Sequence, residues 1–200
     1  MARSIPIYSP APSWTPPRSR YIRVYHGCTA VDEYKIRKDG IDPRKGRVDT
    51  DFGRGFYTTT VKYQARQWAW ARFYDPVVAR IRPNRPVVLK FMLDLHSFSN
   101  LRTLRFILGG RTKASFWSLV QHCRSSSLPN PINHHEGPFT DRDGTCWYDL
   151  ACGPVAAFWR QKYTMQDADQ FSFHTPDAAK ALQLLIDSGD KRLFDSEPVV

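Results

Sequence analysis

The alternation of apolar and polar positions marks most of the elements of this chain. Tyr21–His26 (YIRVYH) gathers β-branched and aromatic residues over six positions and predicts a strand, stopped by Gly27. Val31–Lys38 is expected to form a short helix closed by Asp39-Gly40, and Arg44–Asp51 is polar and loop-like. Phe56–Thr60 (FYTTT) reads as a second strand behind Gly53 and Gly55. Tyr63–Tyr74 places Ala65, Trp68, Ala69 and Phe73 at i, i+3, i+4 and i+8, the spacing of a buried helical stripe. Pro86–Leu95 is the strongest strand signal, and a helix is expected around Lys113–Cys123. Cys146–Cys152 is strand-like and ends at Gly153-Pro154, and Gln170–His174 alternates as a further strand. Thr175-Pro176-Asp177 then offers an N-cap, a first-turn proline and a first-turn acid. The helix expected there buries Ala178, Leu182, Leu185 and Ile186 and ends at Gly189. Strands and helices mixed without regular alternation predict an α+β fold.

Two stretches carry no such pattern. Residues 1–20 hold Pro6, Pro10, Pro12, Pro16 and Pro17, which lack amide donors and restrict their neighbours, so an irregular tail is expected before a folded domain over 21–200. Ser125–Thr145 is rich in Ser, Pro, Asn and Gly and reads as a long surface loop, the kind of segment that carries specificity on a rigid scaffold. A chain of 200 residues with 14% aromatics is one domain's worth and can bury a core without a disulfide or metal staple.

Composition narrows the classes. No apolar run approaches the ~20 residues of a membrane helix, because Lys90 and Asp94 interrupt Val87–Leu89 and Phe91–Leu93. The first twenty residues lack the apolar core of a secretory leader, and four cysteines do not make a disulfide framework, so a cytoplasmic location is expected, with the nucleus left open. The balance of 29 basic against 19 acidic residues gives a net charge of +10 and favours a polyanionic partner, with no membrane role. Its cations are scattered; Arg44, Lys45 and Arg47 form one local group that a nucleic acid could use.

Three segments set polar or aromatic side chains at strand ends beside glycine or a helix start. They are Tyr25-His26-Gly27, then Asp51–Thr60 (DFGRGFYTTT) with the Gln64–Ala69 helix after it, and Asp169–Thr175 (DQFSFHT). Two other constellations can be drawn. Cys123, His134, His135 and Cys146 are of zinc-ligand type but lack the usual Cys-x-x-Cys or His-x3–5-His spacing. Cys152, His174 and Asp149 are the residue types of a nucleophilic triad without a nucleophile-elbow context.

The order and spacing of the three segments resemble the ADP-ribosyltransferase superfamily of His-Tyr-Glu type, and within it a bacterial and fungal family of unknown function. Trp147–Ala156 (WYDLACGPVA) is similar to that family's Asp-to-Gly-Pro-x-Ala stretch, so the likeness runs from about Tyr21 to Leu185. It implies a split, twisted β-sandwich with NAD as substrate. By the resemblance His26 would bond the adenosine ribose, the Gly27 backbone would hold the nicotinamide carboxamide, and Tyr57 would stack on the nicotinamide ring. To these we add Trp68 as a second aromatic wall and Arg54 as a partner for the pyrophosphate. Most of the superfamily has a Glu where this chain has Gln170, which accepts a hydrogen bond but brings no charge. Asp169 should face away from Gln170 on a strand, and Glu136 is a candidate for the missing carboxylate.

The function expected is NAD-dependent mono-ADP-ribosyl transfer, with Gln170, Tyr57 and His26 as catalytic candidates and no metal. The alternatives are NAD hydrolysis and a non-catalytic module that binds NAD, ADP-ribose or nucleic acid. The acceptor, protein or nucleic acid, is left open.

Overall fold

The computed structural model describes residues 20–47, 49–75, 84–107, 112–125 and 148–185. Among them lie seven strands and four helices in an α+β arrangement. The strands are β1 (Tyr21–Thr29), β2 (Phe56–Thr58), β3 (Pro86–Asp94), β4 (Thr103–Arg105), β5 (Leu150–Phe158), β6 (Tyr163–Phe173) and β7 (Leu182–Leu184). The helices are α1 (Ala30–Asp39), α2 (Lys62–Tyr74), α3 (Thr112–Ser125) and α4 (Pro176–Ala179). The proline-rich segment, apart from Arg20, and residues 126–147 lie outside the described residues, and with them Glu136, His134, His135 and Cys146.

One sheet runs β1-β3-β7 and the other β2-β6-β5-β4, mostly antiparallel, with β4 parallel to β5. On β3 the inward positions recur with period two, Val87, Leu89, Phe91 and Leu93. They meet Ile22, Val24 and Cys28 of β1, Phe56 of β2, Leu150 and Cys152 of β5, and Phe171 and Phe173 of β6, so the first core fills the space between the two sheets. A second core lies on the other face of the four-stranded sheet. There Phe116, Trp117, Leu119, Val120 and Cys123 of α3 pack on Phe52, Phe106, Ala151 and Ala156.

Several boundaries differ from the sequence expectation. β1 does not stop at Gly27 but continues to Thr29, with Gly27 opposite Val88. β5 runs straight through Gly153-Pro154. Covered on both faces, it shows an unbroken apolar pattern and not an alternating one. Pro154 is tolerated because β4 has ended at the partner of Cys152 and the register shifts just beyond Pro154. α4 stops after one turn, and Leu182–Leu184 becomes a strand on the edge of β3, opposite Phe91–Leu93. The apolar run of that segment completes a sheet edge; it does not continue a helix.

Candidate functional site

Among the described residues the two sheets exchange backbone hydrogen bonds at one place. Tyr25 N donates to Thr59 O at 2.7 Å, and Thr59 N donates to Tyr25 O at 2.9 Å. Even-numbered residues of β1 bond to β3, as the flanking Ala30–Arg85 and Leu95–Arg20 bonds show, so the odd ones turn N–H and C=O to the opposite edge. Continuing the Tyr25–Thr59 pairing would set Gly27 opposite Tyr57. Instead the His26 ring intervenes, its Nδ1 2.6 Å from the Tyr57 carbonyl oxygen. The ladder ends there and the sheets part. Both the N–H and the C=O of Gly27 are left aimed along the edge from which β2 has withdrawn.

His26 is held from two sides. Its ring stacks on Phe56 at 4.2 Å between centroids, and the Tyr57 carbonyl can only accept, so Nδ1 carries the proton. Burial lowers the His26 pKa, which keeps the ring neutral and makes Nε2 an acceptor. Gly27 is required by packing as well. A methyl group there would lie 2.0 Å from the Ala65 carbonyl oxygen and 2.8 Å from the Ala69 nitrogen, because α2 crosses β1 against this backbone.

Tyr57 is oriented by the glycine-rich turn before it. Its hydroxyl donates to the Gly53 carbonyl at 2.7 Å and accepts from the Phe52 amide at 3.0 Å, and Gly53 takes the left-handed φ of 75° that closes this turn. Burial pushes the phenol pKa up, so the ring stays neutral. Tyr57 pairs with Ser172, and Gln170 lies two residues further along the same face of β6, a diagonal neighbour roughly 7–8 Å away.

Gln170 is 6% exposed and sits in a network that the sequence did not announce. Its amide nitrogen donates to Asp51 Oδ2 at 2.7 Å and to the Pro154 carbonyl at 2.8 Å. Asp51 Oδ2 also accepts from the Ala156 amide at 2.7 Å, and its Oδ1 takes Arg124 at 2.6 Å. With both N–H groups committed, Gln170 has only its amide oxygen to offer. Asp51 belongs to the glycine-rich segment, but no local signal links it to Arg124, 73 residues away at the end of α3.

Asp169 faces away from Gln170, as the strand alternation predicts. Its carboxylate accepts from the Thr60 amide at 2.8 Å and from the Thr59 and Thr60 hydroxyls, while Gln64 pairs with the Asp169 backbone at 2.9 and 3.2 Å. This group ties the start of α2 to β6. Arg54 donates to the Arg44 carbonyl at 3.2 Å, and its Nε–H is buried without an acceptor among the described residues. Trp68 is not brought into the group: it is 52% exposed on α2, which packs through Ala65 and Ala69 on the β1 face opposite His26.

The Cys152, His174 and Asp149 set is not assembled as a triad. Burial pushes the Cys152 thiol up to about 12, His174 Nδ1 meets the Arg54 carbonyl at 2.8 Å, and the Asp149 carboxylate holds the Thr175 hydroxyl and the Arg102 amide. Arg44 and Arg47 are paired with Asp42 and Asp49, at 3.0 and 3.1 Å, so that local basic group is largely neutralised within itself. No helix among the described residues is long and apolar enough to cross a membrane.

Burial also holds the His174 pKa down to about 4. A histidine with a depressed folded-state pKa takes up its proton more readily when unfolded, so its contribution is complete above the ordinary value of ~6.5 and is lost as pH falls towards 4. His26 acts in the same direction. The melting temperature is therefore expected to be level above pH 6.5 and to fall between pH 6.5 and 4, with a shallower fall in His174→Gln. A flat profile down to pH 4.5 would contradict neutral rings at His26 and His174.

A family model described as a protein of unknown function, DUF3990, matches residues 22–184, and the chain belongs to that family. No curated protein matches it. The matched span takes in all three segments and both sheets.

Proposed function

We propose that the protein binds NAD at the parting of its two sheets and transfers ADP-ribose from it. The observation that carries this reading is the edge of Gly27. Adjacent N–H and C=O groups of one residue complement the acceptor and two donors of a primary carboxamide, and His26 keeps β2 from using them. In this reading Tyr57, half-buried against the second core on the Gln170 face of the sheet, presents its ring to a pyridinium, an attraction of ~0.5–2 kcal/mol. The acceptor Nε2 of neutral His26 suits a ribose hydroxyl, and the Arg54 Nε–H, without an acceptor among the described residues, suits a phosphate oxygen. The superfamily's split β-sandwich is part of this proposal; two sheets joined at Tyr25–Thr59 and parted at Gly27 support it.

In the reaction the bond between ribose C1 and the nicotinamide nitrogen breaks, the bonding pair leaves with nicotinamide, and an acceptor O–H or N–H attacks the oxocarbenium-like sugar and gives up its proton to water. The Gln170 amide oxygen, fixed by the Asp51 and Pro154 contacts of its nitrogen, can accept from a ribose hydroxyl but cannot take a proton as a base. That observation favours a second reading, in which the site binds NAD without turning it over.

Nicotinamide release from NAD by the full chain separates the two readings. Turnover is expected in the wild type and a loss of about 100-fold or more in His26→Ala and Tyr57→Ala. Thermal protection by 1 mM NAD, about 1.4 kcal/mol at a Kd near 100 µM, without release would establish the binding-only site. Neither release nor protection would end the NAD reading.

A further inference from the structure

The β5–β6 hairpin carries a surface that neither reading uses. Its end, Ala157–Gln166, reads AFWRQKYTMQ, with three aromatics, two cations and no carboxylate; the next acid is Asp167. Phe158 and Tyr163 are direct cross-strand partners, and both are open to solvent, at 66% and 63%. The two exposed rings project from the end of the hairpin as an aromatic platform, just beyond a register shift between Ala156 and Phe158, and the exposed Met165 lies two residues further along β6. Arg160 lies over the Trp159 ring at 5.2 Å, and Lys162, in a left-handed conformation at φ 59°, completes the turn. An exposed pair of rings costs solvation that folding does not recover, and cations flank it on the turn.

We propose that this hairpin is a binding surface for single-stranded nucleic acid. Bases stack on the Phe158 and Tyr163 rings, whose faces tolerate any sequence, and the phosphates run past Arg160 and Lys162. Charge complementarity selects this occupant. The partner must be an anion that also presents flat apolar faces, and the net charge of +10 brings polyanions to the protein as a whole. The Arg44, Lys45 and Arg47 group is the weaker footprint, because Asp42 and Asp49 occupy two of its three cations. The proposal does not depend on NAD: binding at the hairpin should survive His26→Ala and Tyr57→Ala.

The test is fluorescence anisotropy of a labelled 12-nucleotide single strand, DNA and RNA, against the full chain at 100 mM salt, with the same DNA as a duplex and with inorganic polyphosphate as competitor. Single strands are expected to bind, with about a tenfold loss on Phe158→Ser or Tyr163→Ser and a larger loss in the double variant. Arg160→Ala with Lys162→Ala should lower the salt slope by about 1–2. Both rings are exposed, so the melting temperatures should match the wild type, and circular dichroism checks this. Single strand and duplex bound equally, polyphosphate competing as well as the oligonucleotide, or unchanged affinity in the serine variants would overturn the proposal. So would sedimentation showing that Phe158→Ser converts a dimer to a monomer, since the platform would then be an interface between copies of this chain.

Discussion

Replacing Gln170 by Glu is expected to destabilise the fold at neutral pH by about 3–5 kcal/mol, the cost of an uncompensated buried charge. The substitution is nearly isosteric, but the atom it changes is the one under contact. The amide nitrogen lies 2.7 Å from Asp51 Oδ2 and 2.8 Å from the Pro154 carbonyl, so an oxygen there would face two acceptors. Arg124 cannot relieve this, because it is engaged on the other oxygen of Asp51. The variant has one escape, which is to keep the new carboxyl protonated and let its O–H donate to Asp51.

That escape gives the prediction its sign. If the introduced carboxyl has a pKa raised above the ordinary ~4.3, the folded state holds a proton that the unfolded chain has released. The variant should therefore approach wild-type stability near pH 4.5 and fall behind as pH rises through the folded-state pKa. At roughly 2–4 °C per kcal/mol for a chain of this size, the gap in melting temperature should reach about 10 °C at pH 8. The comparison is made pH by pH, since His26 and His174 lower both curves in acid. An equal gap at pH 4.5 and pH 8 would show that Asp51 does not face the substituted atom. The same contacts predict that Gln170→Glu will not raise nicotinamide release at neutral pH. A working carboxylate at this position of β6 requires that position 51 cease to be an acceptor.

What the sequence revealed and what it hid divide along physical lines. β3 and α2 were legible because their periods are local: four inward residues two apart, and Ala65 with Ala69 one turn apart. The opposite facing of Asp169 and Gln170 needed only the pleat. The expected burial of Trp68 failed because the helix meets β1 through small side chains over Gly27, leaving the larger ring outside. The strand stop placed at Gly27 failed for a related reason. Glycine in a sequence suggests a breaker, whereas here it is the residue that lets a strand pass beneath a helix. Gly153-Pro154 misled likewise, because β4 ends before the missing amide would be needed. Arg124 and Asp51 meet across 73 residues, and only the folded chain shows that the carboxylate beside Gln170 comes from the glycine-rich turn. The three candidate segments were thus found by their local chemistry, but the hydrogen bonds that fix each side chain's role are non-local.

Gly27→Ala tests the close approach of α2 to β1 beside the point where the sheets part. The added methyl would sit 2.0 Å from the Ala65 carbonyl oxygen, 2.8 Å from the Ala69 nitrogen and 3.0 Å from the Ala65 carbonyl carbon. All three are backbone atoms of α2, so no side-chain rotation relieves the overlap; the helix must shift or detach. Overpacking of well-packed interiors typically costs ~1–3 kcal/mol, and a rigid backbone contact belongs at or above the upper end. The shift would also load the start of α2, where Gln64 and Asp169 stitch it to β6. Gly27→Ala is therefore expected to lower the stability measured by chemical denaturation by about 3 kcal/mol or more. The double variant Gly27→Ala/Ala65→Gly should recover nothing, because trimming Ala65 removes its methyl group and leaves its carbonyl in place. It should instead be about 1 kcal/mol worse, from the helix propensity lost at position 65. Recovery in the double variant would mean that side chains, and not main chains, set the distance between α2 and β1. In that case the helix would adjust to the size of its side chains, and a residue larger than glycine could be accommodated at position 27.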